Sequence, residues 1–289
     1  MSILQSLQLP INIMRFKLHL KPARNKQKLL FNYQYPLQAW LYKLIYQADE
    51  GYASFLHNQG YTVPNSHKTF KHFTFSSLQI TKSNPIRKGD KYIQLGIENI
   101  TLIISFYIDK AAEGFIIGLF QSQTMSLYNQ ELQADFIVER VETLENPFEL
   151  LSQEGVISKS FKTISPMVVA RKEGSLDKYL SPKDEGFADF FALNLVDRFR
   201  TLQGTSGLQM DATFAKNVAK FKLLSDPERI KMRGFTVKEG KLDHQTKVIG
   251  YYNFSFEVIA PPQLLEIGYL GGFGKESSMG CGSVDVIVD

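Results

Sequence analysis

Residues 268–284 read GYLGGFGKESSMGCGSV. Gly268, Gly271, Gly272, Gly274, Gly280 and Gly282 all fall in this segment, and so many residues without a β-carbon mark a backbone that something approaches closely. The segment is not a nucleotide loop. A P-loop requires Gly-x-x-x-x-Gly-Lys-Ser/Thr, whereas Gly274-Lys275 has Tyr269 at the first glycine position and Glu276 where the hydroxyl belongs. The dinucleotide fingerprint fails as well, because Gly272-x-Gly274 has Ser277 in third place and the predicted order is helix-loop-strand, not strand-loop-helix. The helix before the segment is predicted at Pro262 to Ile267 and the strand after it at Ser283 to Val288.

Working outward, the chain alternates strand and helix patterns. Met14, Phe16, Leu18 and Leu20 alternate with Arg15, Lys17 and His19, the pattern of a half-buried strand over Ile11 to Leu20. Pro36 suits a first helical turn, and Leu37, Trp40, Leu41, Leu44 and Ile45 then form a core-facing stripe. A second helix from about Asp49 buries Tyr52, Phe55 and Leu56 and stops at Gly60. A strand from near Phe70, strands at Tyr92 to Leu95 and Ile100 to Ile108, a helix at Lys110 to Phe120 and a strand at Asp135 to Val141 follow. With Tyr92 to Leu95 joined to the following hairpin region, the order is β-α-β-β-α-β, the ferredoxin-like motif.

Glu145 to Gly155 reads as a boundary, through Asn146 and Pro147. Beyond it the expected elements are a strand at Phe161 to Arg171, a helix at Phe187 to Leu202, and strands at Phe214 to Leu224, Arg229 to Val237 and Val248 to Ile259. The expected fold class is therefore α+β, two tandem ferredoxin-like domains with a C-terminal glycine-rich loop. Their expected extents are 1–145 and 156–289, with a linker at 146–155. No repeat joins the halves at the level of sequence, so the duplication rests on element order.

A length of 289 residues suits two domains, and 44% hydrophobic residues suffice for proper cores. Cys281 is the one cysteine, so no internal disulfide and no zinc-ligand spacing exists. Met1 to Ile13 lacks a basic leader region and no apolar run approaches the roughly 18 residues of a membrane span, which predicts a cytoplasmic protein with no membrane partner. The net charge of +4 is mild, but its distribution is uneven. Met1 to Ala48 carries Arg15, Lys17, Lys21, Arg24, Lys26, Lys28 and Lys43 and no acid. Lys159, Lys162, Arg171 and Lys172 lie in a second acid-free stretch, and Arg229, Lys231, Arg233 and Lys238 in a third. Any one stretch reads as a solvated surface; the three together point to a polyanion-binding face.

The glycine-rich segment resembles the C-terminal loop of the CRISPR-associated repeat-processing endoribonucleases of the RAMP superfamily. Met14-Arg15-Phe16, Tyr33-Gln34-Tyr35, Leu37-Gln38, Phe55-Leu56-His57, Lys71 to Ser76 and Ile164-Ser165-Pro166 resemble the same family in the same order. The resemblance implies tandem ferredoxin-like domains that cut CRISPR repeat RNA without metal or other cofactor, through the 2′-hydroxyl beside the scissile phosphate. The implied products carry 2′,3′-cyclic phosphate and 5′-hydroxyl ends. By motif position it implies Tyr42, His57 and Lys71 as the catalytic residues, with Lys68 as a competitor for the lysine. Tyr42 and His57 also fall off the apolar stripes of their helices, so neither core claims them. His67, His72, His19 and His244 lack a ligand motif or sit on an outward face or in a polar hairpin.

RNA contacts are expected at Gly268, Gly272, Gly274, Lys275, Gly280 and Gly282 through backbone N–H groups and charge. Arg229, Lys231 and Arg233, alternating along one strand, and Ser165, Arg171 and Lys172 are expected to contact the RNA as well. The implied partners are pre-crRNA and crRNA, subunits of a CRISPR effector complex and a second copy of the chain. A non-catalytic crRNA-binding subunit is the alternative, and a ferredoxin-like protein unrelated to RNA would leave the basic stretches and the loop without a shared purpose.

Overall fold

Alternation builds the first strand: in β1 (Arg15–Pro22), Phe16, Leu18 and Leu20 are buried while Lys17 and His19 stay partly exposed. The computed structural model describes residues 14–81, 90–96, 99–148, 155–203, 212–236 and 247–288. The first unit adds β2 (Phe73–Phe75), β3 (Ile100–Phe106), β4 (Thr124–Tyr128) and β5 (Gln133–Thr143) to one sheet in the order β2-β3-β1-β5-β4. β1 pairs antiparallel with both β3 and β5. Helices α1 (Gln34–Ala48) and α3 (Asp109–Gln121) cover its inner face, and α2 (Glu50–Asn58) follows α1 directly.

The second unit repeats the plan. β6 (Ile157–Thr163), β7 (Lys220–Leu223), β8 (Ser255–Ala260) and β9 (Val284–Val286) form a sheet in the order β7-β8-β6-β9. Helices α4 (Phe187–Gln203) and α6 (Pro262–Gly271) supply the two crossovers, and α5 (Ala212–Val218) precedes β7. In each unit the first motif strand lies between the third and the fourth, the ferredoxin-like arrangement. One apolar core runs through both, from Phe16 and Phe115 to Phe161, Phe191 and Phe273.

Several boundaries differ from expectation. Tyr92–Gln94 does not join the β3 region but pairs with Lys28–Leu30. The stretch from Phe161 to Arg171 is not one strand: β6 ends at Thr163, Ser165 to Val169 runs buried, and a separate hairpin strand covers Ala170–Glu173. Phe214 to Leu224 begins as α5 and becomes a strand only at Lys220, its apolar residues being shared between two elements. Arg229 lies in a single turn, Pro227–Arg229, because Asp226 caps that turn by accepting from Glu228 N. The strand therefore starts at Lys231, and Arg229 shares no strand face with Lys231 and Arg233. Val248 to Ile259 is two strands that turn at Asn253, whose φ is 64°. Most of the expected linker, along with Met1 to Ile13, Lys238 and His244, lies outside the described residues.

The two units are bolted together at the glycine-rich segment. Gly280 (φ 75°) and Gly282 (φ 71°) adopt left-handed backbone, and a β-carbon on Gly280 would intrude on the Phe75 ring of the first unit. A β-carbon on Gly282 would collide with the backbone of Phe273. Thr74 Oγ1 donates to Cys281 O at 2.9 Å, and Arg15 Nη2 donates to Val284 O at 2.7 Å and pairs with Asp285 at 2.8 Å.

His72 belongs to this seam, as a buried residue at φ 53° against Tyr61, Phe70 and Tyr107. Thr201 Oγ1 donates to Arg198 O at 2.8 Å, so it accepts from His72 Nε2 at 2.7 Å. Burial, and then the neighbouring Arg198 charge, depress the imidazole from 6.5 to about 2.

Two outcomes follow from this seam. Gly280→Ala lowers stability by about 2 kcal/mol or more, read as a lower denaturant midpoint; an unchanged midpoint would refute the packing described. Because the folded His72 binds its proton far less well than the unfolded one, its contribution is complete above pH 6.5 and is lost as pH falls from there toward 2. His72→Asn, which tolerates the left-handed backbone, therefore flattens the fall in unfolding free energy between pH 6.5 and the acid limb. A slope equal to that of the parent chain would contradict a neutral, buried His72.

Candidate active site

Two helices of the first unit and the segment before β2 bring Tyr42, His57 and Lys71 together. Tyr42 stands on the flank of α1, away from the Leu37, Leu41, Leu44 and Ile45 stripe, and is only partly buried. Its ring meets the His57 ring edge-on with centroids 5.3 Å apart and the Phe73 ring at 5.7 Å. Burial pushes the phenol above its usual range, with the Ser278 hydroxyl opposing the shift, so Tyr42 stays protonated and able to donate.

α2 is fixed at both ends. Asp49 caps its start by accepting from Tyr52 N at 2.8 Å and is itself held by Lys110 at 2.8 Å. At the other end Gly60 N returns to Phe55 O, leaving His57 exposed in the last turn. His57 Nδ1 lies 3.0 Å from Asn58 Oδ1. With that amide oxygen as acceptor, Nδ1 carries the proton and Nε2 is the nitrogen open to exchange.

Lys71 lies just before β2 and donates its Nζ to His57 O at 3.0 Å, a cation at the electronegative end of α2. Burial lowers its pKa. The competing Lys68 points elsewhere, to Asp197 of α4 at 2.6 Å. The structure thus brings Lys71, not Lys68, to His57. His67 is exposed on the loop before Lys68, and His19 faces outward beside Glu142 and Arg140.

The residues expected to hold RNA are scattered by comparison. Gly268, Gly272, Gly274, Gly280 and Gly282 are all buried, and what approaches them is the protein itself, mainly Phe273, Ser277, Val168 and Phe75. The N–H of Gly280 goes to Ser277 O and that of Gly282 to Pro166 O. Ser165 is buried and its Oγ accepts from Ser283 N at 2.9 Å. Lys275 and Lys172 share the Asp177 carboxylate, at 2.7 and 3.1 Å, and Arg171 pairs with Glu173 at 2.6 Å. Arg233 donates to Phe31 O at 2.6 Å and reaches over the Tyr33 ring, bracing its hairpin against the entry to α1. Arg229 and Lys231 are exposed.

Sequence reading missed Arg198, Gln38 and Ser278. Arg198 is fully buried on α4 and donates to Gly271 O and Gly274 O, both at 2.9 Å, and to Ser277 Oγ at 3.3 Å. A signal was present, since Phe187, Phe191, Leu195 and Arg198 recur at helical spacing and place the arginine on the apolar face. Gln38 Nε2 donates to Ser278 Oγ at 3.0 Å, a contact across 240 residues for which local pattern holds no signal.

Paired ferredoxin-like units with a glycine-rich segment closing the seam define a tandem ferredoxin-like protein with a polar cluster at the end of α2. Residues 28–142 match the family model for CRISPR-associated protein Cas6, N-terminal, and residues 150–286 match that for CRISPR associated protein Cas6, C-terminal. The chain belongs to the Cas6 family. It is 29% identical over 286 residues to CRISPR-associated endoribonuclease Cas6 1 of Methanocaldococcus jannaschii, covering 96% of this chain and 94% of that one. It is 26% identical over 280 residues to CRISPR-associated endoribonuclease Cas6 of Pyrococcus furiosus, covering 94% and 90%. Among solved structures, the product of a Cas6-related gene from Pyrococcus furiosus superposes with a TM-score of 0.72 at 22% identity, covering 96% and 99%. A CRISPR associated protein Cas6 superposes with a TM-score of 0.65 at 25% identity, covering 95% and 99%. Among the described residues no helix is long and apolar enough to cross a membrane.

Proposed function

We propose that this protein is an endoribonuclease that cuts CRISPR repeat RNA into guide units. The observation that carries the reading is the convergence of Tyr42 and His57, from two helices, with Lys71, from the segment before β2. His carries protons near neutral pH, a protonated phenol donates, and an ammonium group offsets phosphorane charge. In the proposed reaction the ribose 2′-oxygen attacks the adjacent phosphorus and gives up its proton. The bond from phosphorus to the 5′-oxygen breaks, and that oxygen receives a proton. The products are a 2′,3′-cyclic phosphate and a 5′-hydroxyl, and no metal is required because the nucleophile is already in the substrate.

His57 Nε2 exchanges a proton with the 2′- or the 5′-oxygen, Tyr42 donates to the reacting phosphate, and Lys71 stabilises its charge. Exposed Arg229 and Lys231, the cationic hairpin of Arg171 and Lys172, and Lys275 beside it supply phosphate contacts outside the centre. The glycines at 268, 272, 274, 280 and 282 serve RNA binding indirectly, by shaping the loop beside α1. The named M. jannaschii and P. furiosus relatives, endoribonucleases by description, support the assignment.

Incubation with the repeat RNA of its own array, in EDTA, is expected to give specific cleavage, and a 2′-deoxyribose at the scissile nucleotide to abolish it. Tight binding with no cutting would replace this reading by that of a non-catalytic crRNA-binding subunit. His57→Ala is expected to lower the single-turnover rate by about 100-fold or more, and full activity in that variant would remove His57 from the site. Lys71→Ala is expected to slow the chemical step more than Lys68→Ala does; the reverse order would reassign the lysine.

A further inference from the structure

We propose that Ser278 is a positioning residue for Tyr42: carried on the glycine-rich segment and held by Gln38, its hydroxyl fixes the phenol so that the phenolic O–H faces the substrate. The proposal rests on the reading of Tyr42 as part of an RNA-cutting site.

Gln38 and Tyr42 are four residues apart on α1 and share a face. A serine hydroxyl has one proton and two lone pairs. Ser278 Oγ accepts from Gln38 Nε2 at 3.0 Å, which leaves its one proton for an acceptor close by on α1, and the Tyr42 phenol stands one turn along the same face. The phenolic oxygen is then an acceptor toward the loop, and its own hydrogen points away from the loop.

The serine is itself held rigidly. Ser277–Met279 is a single turn entered at Glu276 (φ 58°) and left at Gly280 (φ 75°), closed by Gly280 N to Ser277 O at 2.9 Å. Met279 is buried, and Gly280 sits against the Phe75 ring. The preceding Ser277 accepts from Arg198 Nη1, and Arg198 also holds Gly271 O and Gly274 O. Successive serines thus face opposite ways, Ser277 toward α4 of the second unit and Ser278 toward α1 of the first. The second unit thereby reaches a catalytic side chain that it does not carry.

The test is a double-mutant cycle on single-turnover cleavage, with RNA affinity measured separately. Ser278→Ala is expected to slow cleavage about tenfold with affinity unchanged, and Ser278→Thr, which keeps the hydroxyl, to recover most of the rate. In a Tyr42→Phe background Ser278→Ala should cost almost nothing further. A full multiplicative loss in that background, or weakened binding with an unchanged rate, would overturn the proposal and make Ser278 an RNA contact. A parent chain that binds RNA without cutting it refutes the cutting reading instead. The positioning contact is then judged by NMR of chain labelled with ¹³C-tyrosine. The Tyr42 Cζ resonance, identified by its loss in Tyr42→Phe, shifts in Ser278→Ala and in Gln38→Leu; an unmoved resonance overturns the contact itself.

Discussion

The guanidinium of Arg198 is the constraint on which the rest of the seam depends. It is wholly buried, and burial lowers its pKa to about 9, so it remains charged at neutral pH. A buried charge must be answered by hydrogen bonds, each worth roughly 1.5–3 kcal/mol when one partner is ionised. Here the answer comes from two backbone carbonyls and a serine hydroxyl of the glycine-rich segment, with the Phe70 ring 4.7 Å from the guanidinium carbon. Gathering those acceptors around one cation forces the chain into a tight path, and only residues without a β-carbon can follow it where Phe75 and Phe273 press closest. The arginine anchors the loop's carbonyls, and the glycines let the chain pass Phe75, Phe273 and Val168 at the same time.

Arg15 performs a complementary task in the other direction. It extends from the first strand of the first unit to the last strand of the second, where it meets Val284 O, the Asp285 carboxylate and the face of Tyr269 at 4.3 Å. Arg15 ties the two units directly, whereas Arg198 spends its hydrogen bonds within the second unit, on the segment that meets the first, and touches the first through the Phe70 ring. Tyr42, His57 and Lys71 come from the first unit alone, and the loop that reaches α1 one turn from Tyr42 comes from the second.

Legibility followed range. The alternation of Phe16, Leu18 and Leu20 and the stripe from Leu37 to Ile45 are local, and both elements stand where periodicity put them. The ferredoxin-like order emerged twice from those periods. Where apolar residues of two adjacent elements run together, as from Phe214 to Leu224, period alone could not locate the junction. At the site, Tyr42 and His57 were visible as side chains that their own helices leave aside. Lys71 and Lys68 could not be separated, because the choice lies in a carbonyl of His57 and a carboxylate of α4. The glycine-rich segment advertised a close approach but not by what, since a missing β-carbon is silent about whether the neighbour is a phosphate or a phenylalanine.

The contact between Gln38 and Ser278 spans 240 residues. On the ribosome, α1 emerges long before the segment that will brace it, by about 12–48 seconds at 5–20 residues per second. Until that segment is made, Gln38 has no Ser278 to donate to, and the face of α1 that carries it is unbraced in a nascent first unit. Folding of so non-local a contact is also slow by topology. The brace on α1 is thus a contact that only the later-made part of the chain can supply.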